Sequence, residues 1–215
     1  MNLCVPSKCT ACVYYRYMPL PRFRRLPPDR QAAILRVARA HFAAEGPEIA
    51  SYNKIIEASG FSKSAAYQYF DGREDLLGAV LEGVRDRLRA ALGPWRAATE
   101  TLGFWLQLDR GARGLQEHLV AHPDDLALVP AATTRAGAEA DPWFEAMLAD
   151  GRRLGMVRAD IDPDLMLAAT IAVFRAADGW VLEAMREGRP VGLDRQPWAL
   201  LAGLWGSPTP PGAAP

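Results

Sequence analysis

The chain has 215 residues, half of them hydrophobic, which is enough for one large or two small buried cores. Its 25 basic and 25 acidic residues cancel, so the net charge alone argues against a nucleic-acid partner, but the distribution reverses that impression. Residues 1–100 carry 15 Lys and Arg against 10 Asp and Glu, and residues 101–215 carry 10 against 15, which predicts a basic module that meets polyanions and an acidic module that does not.

No segment has the pattern of a secretory signal or of a membrane span. The N-terminus lacks a continuous apolar core before a cleavage site. The longest apolar run, residues 165–174 with Thr170 inside it, is far shorter than the ~20 residues that a span needs. We therefore expect a cytoplasmic protein with no membrane partner.

All three cysteines lie near the start, at Cys4, Cys9 and Cys12. Their C-x4-C-x2-C spacing could hold part of a metal site, but a closed zinc site requires four ligands. We interpret residues 1–17 as a disordered extension or as sequence ahead of a true start, and place residues 1–27 outside the first domain. Redox-active thiols and a metal or cluster site, either of which would make the chain a thiol- or metal-responsive sensor, are the alternatives.

The first helix is predicted to begin at Pro28, because proline suits the first helical position, and to end at Gly46. Residues 52–77, YNKIIEASGFSKSAAYQYFDGREDLL, then predict two short helices, a turn and the start of a further helix. Gly60 suits a left-handed turn and Ser62 can cap the helix that follows. Ser51 is the expected cap of the helix before it.

The helix after Ser62 is predicted to have a packed back and a polar front. Ala66 and Phe70 are four residues apart and share one face. The opposite face has hydrogen-bond donors and one aromatic ring, from Lys63, Ser64, Tyr67 and Gln68. A short helix with these two faces is what the major groove of DNA accepts.

This stretch resembles the helix-turn-helix of TetR-family transcriptional regulators. The matching residues are Gly60, Ser62, Tyr67, Tyr69-Phe70, Arg73 and Glu74-Asp75-Leu76-Leu77, and the resemblance covers roughly residues 28–88. The chain departs from the family pattern at Ser64-Ala65, often Gly-Thr, at Tyr69, often His, and at Arg73, often Lys. An arbitrary turn between two helices is the alternative reading of the same stretch.

The resemblance implies a DNA-binding set with distinct roles. Lys63 and Arg73 would hold phosphates, Tyr67 and Tyr69 would reach the backbone, and Ser64, Gln68 and Asn53 would meet base edges. The complete expected set is Ser51, Tyr52, Asn53, Lys63, Ser64, Ala65, Tyr67, Gln68, Tyr69 and Arg73. Arg22, Arg24 and Arg25 form either an additional DNA-contacting arm or a solvated segment.

The remaining pattern is helical throughout, so the predicted fold is all-α. An N-terminal helix-turn-helix domain would span residues 28–92 with its motif at 51–70, and a C-terminal helical domain residues 93–205. Residues 206–215, rich in Pro, Gly and Ala, would be disordered. Further helices are expected over residues 102–108, 115–121, 124–132, 142–153, 164–186 and 195–204, with Gly111 and Gly114 flanking a break. Asp71 and Glu74 are expected to form a capping-box-like pair at the helix that starts near them.

The resemblance implies that the second domain dimerises and binds an effector. A stripe of small residues would form a homodimer interface, or else pack internally: Ala169, Ala172, Ala176 and Gly179, with Trp198 of the last helix. Aromatic and polar side chains would surround a small hydrophobic effector: Trp105, His118, Trp143, Met147, Phe174 and Asp178. An internal pair with an Arg is the alternative role for Asp178.

No catalytic pattern is present, since G-x-S-x-G, H-E-x-x-H and a phosphate loop are all missing. We predict that the chain is not an enzyme and needs no cofactor or metal. The expected function is that of a homodimeric repressor, released by its effector from a pseudo-palindromic operator in double-stranded DNA. A helical enzyme acting on an apolar substrate is the remaining alternative.

Overall fold

The computed structural model describes residues 19–134, 141–189 and 196–206, and every element within them is a helix, which confirms the all-α prediction. The expectations about Cys4, Cys9, Cys12 and the last nine residues lie outside this described part. The helices are α1 (Pro21–Arg24), α2 (Pro28–Glu45), α3 (Tyr52–Ala58), α4 (Lys63–Tyr69), α5 (Arg73–Leu92), α6 (Thr101–Ala121), α7 (Pro123–Thr134), α8 (Pro142–Arg153), α9 (Pro163–Arg186) and α10 (Gln196–Trp205).

The chain divides into two compact units. The boundary falls inside α5, after Arg87, and the segment that contains α7 returns to the first unit, where it packs against α2. The first domain predicted from the sequence ended at residue 92 and did not include α7. In α7 the side chains of Leu128, Val129 and Ala132 are buried, and the buried carboxylate of Asp125 pairs with Arg87 of α5 and Arg39 of α2.

Unit 1 has its core on one face of α2. Ile34, Ala38 and Phe42 recur every four residues and are all buried, as the helical period requires. The helix ends at Gly46, whose φ of 91° is accessible to glycine and costly for other residues. Gly60 likewise has a φ of 69°, as predicted for the turn between α3 and α4.

Two of the predicted helix caps differ from the observed ones. Ser51 occupies the N-cap position of α3, but its side chain makes no capping hydrogen bond. At the start of α5, the backbone N–H of Asp71 donates to Asp75 at 3.1 Å, whereas Glu74 pairs with Arg73. The return bond therefore comes from one residue further along the helix than the capping-box spacing predicted.

The break predicted near Gly111 and Gly114 is absent, because α6 runs unbroken through both residues. A Cβ at Gly114 would lie 2.5 Å from the carbonyl oxygen of Ala91, and one at Gly111 would lie 2.9 Å from the Leu92 side chain. These glycines let α6 approach the end of α5 closely, so their role is packing and not helix termination.

The core of unit 2 is an aromatic cluster to which α6, α8, α9 and α10 contribute. Asp141 caps α8 by accepting from the Trp143 N–H at 3.0 Å, and Asp162 caps α9 by accepting from the N–H of Asp164 at 2.9 Å. The buried members of the cluster include Phe104, Trp105, Leu108, Met147, Leu148, Met156, Met166, Trp198, Leu201 and Trp205.

Most of α9 is only partly buried, or exposed, among the residues that the structure describes. It is long and apolar enough to cross a membrane by length and composition, yet only 17% of its most apolar window is buried. Leu165 is 61% exposed and Trp180 is 42% exposed on α9, and Leu200 is 60% exposed on the neighbouring α10. Unit 2 therefore presents an extended apolar face that the described residues leave open.

Candidate nucleic-acid interface

The sequence builds α4 as a short, well-defined helix in unit 1. The hydroxyl of Ser62 caps it by accepting from the Ala65 N–H at 3.2 Å, which satisfies one of the free N–H groups at the helix start. Ala66 and Phe70 are fully buried on the back of the helix, as the sequence predicted.

The opposite side of α4 faces solvent, and we call its four side chains the reading face. It consists of Lys63, Ser64, Tyr67 and Gln68, all of which are exposed. Tyr67 is 62% exposed, which is unusual for an aromatic residue. The reading face combines one cation, two side chains able to pair with base edges and one phenol, a set suited to DNA.

Helix α3 supports the reading face from one side. Its Ile55 and Ile56 are buried, while Asn53 is exposed. The ring of Tyr52 packs edge-on against that of Tyr67, with 6.1 Å between centroids. Burial is the main reason that the pKa of the Tyr52 phenol rises to about 12.

Arg73 has a different role from the one predicted. Its Nε donates to the carbonyl of Ala50 at 3.0 Å, its other nitrogens bond the Pro47 carbonyl and the Glu74 carboxylate, and its guanidinium lies 5.7 Å from the Phe42 ring centre. These contacts occupy the group that was expected to hold a phosphate. Arg73 therefore positions the segment between α2 and α3. No pattern in the sequence predicted a contact between that segment and this side chain.

Tyr69 also differs from its predicted role. Its ring is half-buried and makes edge contacts with Phe61 at 5.8 Å and with Phe23 at 6.2 Å. It therefore packs beside the end of α4 and does not join the reading face. Ser51 and Ala65, also in the expected set, are half-buried, so they contribute less surface than the four exposed residues.

The sequence analysis missed the short helix α1, which precedes the expected domain start. Phe23 is only 3% exposed, and α1 packs against α4. The pattern of Pro21 followed by one aromatic residue among arginines was the available signal, but one turn of helix is too short to show a period.

Four of the six predicted effector residues belong to the core cluster of unit 2 or pack against it. Trp105 and Met147 are buried in the core cluster, and Trp143 and Phe174 pack partly buried against it, with 6.5 Å between the centres of their rings. His118 is half-buried on α6.

Asp178 lies on the exposed side of α9 and pairs with no Arg in the described residues, so the alternative of an internal pair is not formed there. Its carboxyl is still close enough to packed protein that partial desolvation raises its pKa to about 6. Because Asp178 is open to solvent, it lies outside the buried aromatic cluster.

The predicted dimer residues separate into two groups. Ala172, Ala176 and Gly179 are exposed and Ala169 is half-buried along α9. Trp198 is instead buried in the chain's own core, where its ring is 6.5 Å from that of Trp105. The small-residue stripe is thus available to a partner, whereas the assignment of Trp198 to an interface was wrong, because the indole fills the space between α6 and α10.

Comparison with known proteins gives matches to regulators. Residues 34–80 match the family of bacterial regulatory proteins called the tetR family. The helix-turn-helix transcriptional regulator YfiR of Bacillus subtilis is 36% identical over 61 residues, which are 28% of this chain and 30% of that protein. The match thus spans less than a third of the relative's length.

Two solved structures have a similar fold. One is described as a transcription regulator from Lactobacillus plantarum, with a TM-score of 0.51, 19% identity, and coverage of 82% of this chain and 96% of the other. The second is a TetR family transcriptional regulator from Chloroflexus aurantiacus, with a TM-score of 0.50, 23% identity, and coverage of 80% and 87%. The matched family and relatives are regulators and not enzymes, which agrees with the prediction that this chain is not an enzyme.

Proposed function

We propose that this chain is a member of the TetR family, whose model its residues 34–80 match, and that it binds double-stranded DNA in the cytoplasm as a transcriptional repressor. The observation that carries the proposal is the reading face of α4. Four polar or aromatic side chains project from a helix whose back is fixed by the buried residues Ala66 and Phe70. A helix fixed in this way can enter a major groove without rearranging.

The reading face assigns roles to individual residues. Lys63 would neutralise a phosphate, and Gln68 could pair with the N6 and N7 atoms of an adenine. Tyr67 would make a positioning contact to the backbone, with Tyr52 holding its ring in place. The exposed amide of Asn53 is the nearest further candidate for a base or phosphate contact.

The second part of the proposal is a homodimer. The open apolar face of α9 and α10 includes Leu165, Trp180 and Leu200, and the small residues of α9 lie between them in the helical sequence. A second copy of the chain would cover this surface by helix packing. Two reading faces would then meet half-sites of a pseudo-palindrome whose centres are about 34–36 Å apart, or a multiple of that.

The third part is release by a small hydrophobic effector in unit 2. The indole N–H groups of Trp105 and Trp198 are buried and have no hydrogen-bond acceptor among the described residues. An unsatisfied buried donor costs about 1–3 kcal/mol. An aromatic ligand that brings a carbonyl or ether oxygen would satisfy one of these donors while its rings pack in the cluster.

Selection of duplexes from a random pool tests the DNA-binding proposal. We expect the protein to enrich a two-fold symmetric site. On that site Tyr67→Ala should weaken binding to every sequence, whereas Gln68→Ala should relax the preference at one base position and cost about 1–3 kcal/mol. The matched control is Gln116→Ala on α6, outside unit 1, which should bind as the parent does. No enrichment, or parental binding by both α4 variants, would contradict the proposal.

A further inference from the structure

We propose that residues 20–25, which we call the arginine arm, form a second DNA-contacting element that binds backbone phosphates beside the reading face. This inference rests on the proposed DNA-binding function. The arginine arm lies outside the helix-turn-helix, is anchored to the protein at both ends and carries an exposed positive charge.

The arm is anchored to the end of the recognition helix α4. Phe23 inserts its ring against Phe70, with 4.7 Å between centroids, and against Tyr69 at 6.2 Å. The backbone N–H of Leu20 donates to the carbonyl of Tyr69 at 2.9 Å. This bond uses a carbonyl at the C-terminal end of α4, where helical partners run out.

The other end of the arm is held by the start of α2. The side-chain amide of Gln31 donates to the carbonyl of Leu26 at 2.8 Å and to that of Arg24 at 3.3 Å. Inside the arm, the Phe23 N–H donates to the Leu20 carbonyl at 2.9 Å. A backbone held at both ends loses little further conformational entropy when it binds, so the cost of ordering falls mainly on the arginine side chains.

The charge of the arm is exposed and has no acidic partner in the described residues. Arg22, Arg24 and Arg25 are all exposed, and neither α1 nor the arm contains an acidic residue. The Nε of Arg25 donates to the carbonyl of Pro21 at 3.3 Å, a neutral acceptor that leaves the charge uncompensated. Three guanidinium groups within four residues form a dense local cation.

Phosphate is the anion that this arrangement fits. The planar guanidinium group binds phosphate oxygens in a two-pronged manner. Because the arm is bonded to the helix that carries the reading face, the phosphates flanking the groove that α4 enters are the nearest polyanion. Two copies of the arm would act in a dimer, one for each half-site. Such contacts add affinity without reading sequence.

The salt dependence of binding tests the inference. The variant Arg22→Gln/Arg24→Gln/Arg25→Gln is compared with the parent on the selected duplex and on a scrambled one, from about 50 to about 300 mM salt. We expect a similar loss of affinity on both duplexes. The slope of log K against log salt should fall by about 0.9 for each lost phosphate contact. The control Arg96→Gln/Arg110→Gln/Arg186→Gln removes three exposed arginines of unit 2 and should keep the parental slope.

A second pair of variants tests the anchor. Phe23→Ala should reduce the slope in the same direction, and Phe23→Leu, which keeps an apolar side chain at the site, should retain most of it. Circular dichroism and thermal melting establish that each variant is folded.

Three outcomes overturn the inference. The first is a parental slope in the folded arm variant, and the second is an equal fall in the control. The third is a loss confined to the selected duplex, which would indicate base reading and not phosphate binding. Failure of the parent itself to bind either duplex would refute the proposed function, and is distinguishable from all three.

Discussion

Asp125 accepts two hydrogen bonds from Arg87, from Nε and from Nη2, and both are 2.8 Å long. The carboxylate is fully buried, and its Oδ1 is also 3.4 Å from the Nη1 of Arg39. One acidic side chain at the start of α7 thereby joins α2 and α5. The return of the chain to unit 1 depends on this group.

Asp125→Ala should therefore destabilise unit 1. We expect a loss of about 1–3 kcal/mol in the free energy of unfolding, because two guanidinium groups lose a charge-assisted partner while both keep some access to water. Urea unfolding measures this change in the free energy of unfolding. Asp109→Ala is the control, since Asp109 pairs with Arg113 at the surface one helical turn away, and should cost about 0.5 kcal/mol or less. Equal effects of the two substitutions would contradict a central role for Asp125.

Gly114→Ala should destabilise the protein, although alanine normally stabilises a helix. The new Cβ would lie 2.5 Å from the carbonyl oxygen of Ala91, so α5 and α6 must move apart at a cost of about 1–3 kcal/mol. Gly103→Ala on the same helix meets only atoms at 3.9 Å and should gain about 0.5–1 kcal/mol. Thermal melting of both variants measures these changes in stability. A melting temperature of Gly114→Ala above that of the parent would show that the close approach does not exist.

Asp75 should make the stability of unit 1 depend on pH. Its side chain is buried, and desolvation is the largest cause that raises its pKa above the usual range. A raised folded-state pKa favours the protonated form, so its stabilising contribution is present below the unfolded pKa and is lost as pH rises through the folded one. Asp75→Asn keeps the acceptor for the Asp71 N–H and should flatten that decline. Denaturant unfolding from about pH 4 to about pH 8 measures how the free energy of unfolding depends on pH. Asp29→Asn, at the exposed start of α2, is the control. The same dependence on pH in Asp75→Asn as in the parent would refute this role of Asp75.

Charges on the open face of unit 2 should prevent dimerisation. Trp180→Glu and Leu200→Glu would each place a carboxylate in the proposed interface, weakening association at least about tenfold because an unpaired buried charge is costly. Sedimentation analysis measures the mass. Leu102→Glu, an exposed leucine of α6, should remain dimeric. A monomeric parent that binds phosphatidylcholine vesicles instead would assign this face to a membrane.

The effector site should prefer ligands that carry a hydrogen-bond acceptor. We expect 2-acetylnaphthalene to bind about tenfold more tightly than 2-ethylnaphthalene, which lacks the carbonyl oxygen, and to release the selected duplex. Trp105→Phe or Trp198→Phe should remove that preference. Trp143→Phe should keep it, because the Trp143 indole already donates to the Gly93 carbonyl. Equal binding of the two probes by the parent would contradict the assignment.

Local spacing was sufficient to predict the helix-turn-helix. The four-residue interval from Ala66 to Phe70 fixes which side of α4 is buried, and the cap at Ser62 and the left-handed turn at Gly60 fix where the helix begins. These features depend on backbone geometry within a few residues, so the sequence contains them completely. The same reason explains the correct prediction of α8 behind Asp141.

Long-range contacts decided the remaining assignments. Arg73 bonds carbonyls more than twenty residues away, Gly114 accommodates the backbone of another helix, and Trp198 fills a core between helices. For Gly114 and Trp198 the sequence supplied the residue type with an incorrect role, a helix breaker and an interface aromatic. For Arg73 it supplied a cation without showing its contacts within the chain. Such roles depend on which atoms the fold brings within contact distance. The role of Phe23 depends on the same kind of contact, because its packing against Phe70 makes an apparent extension part of unit 1.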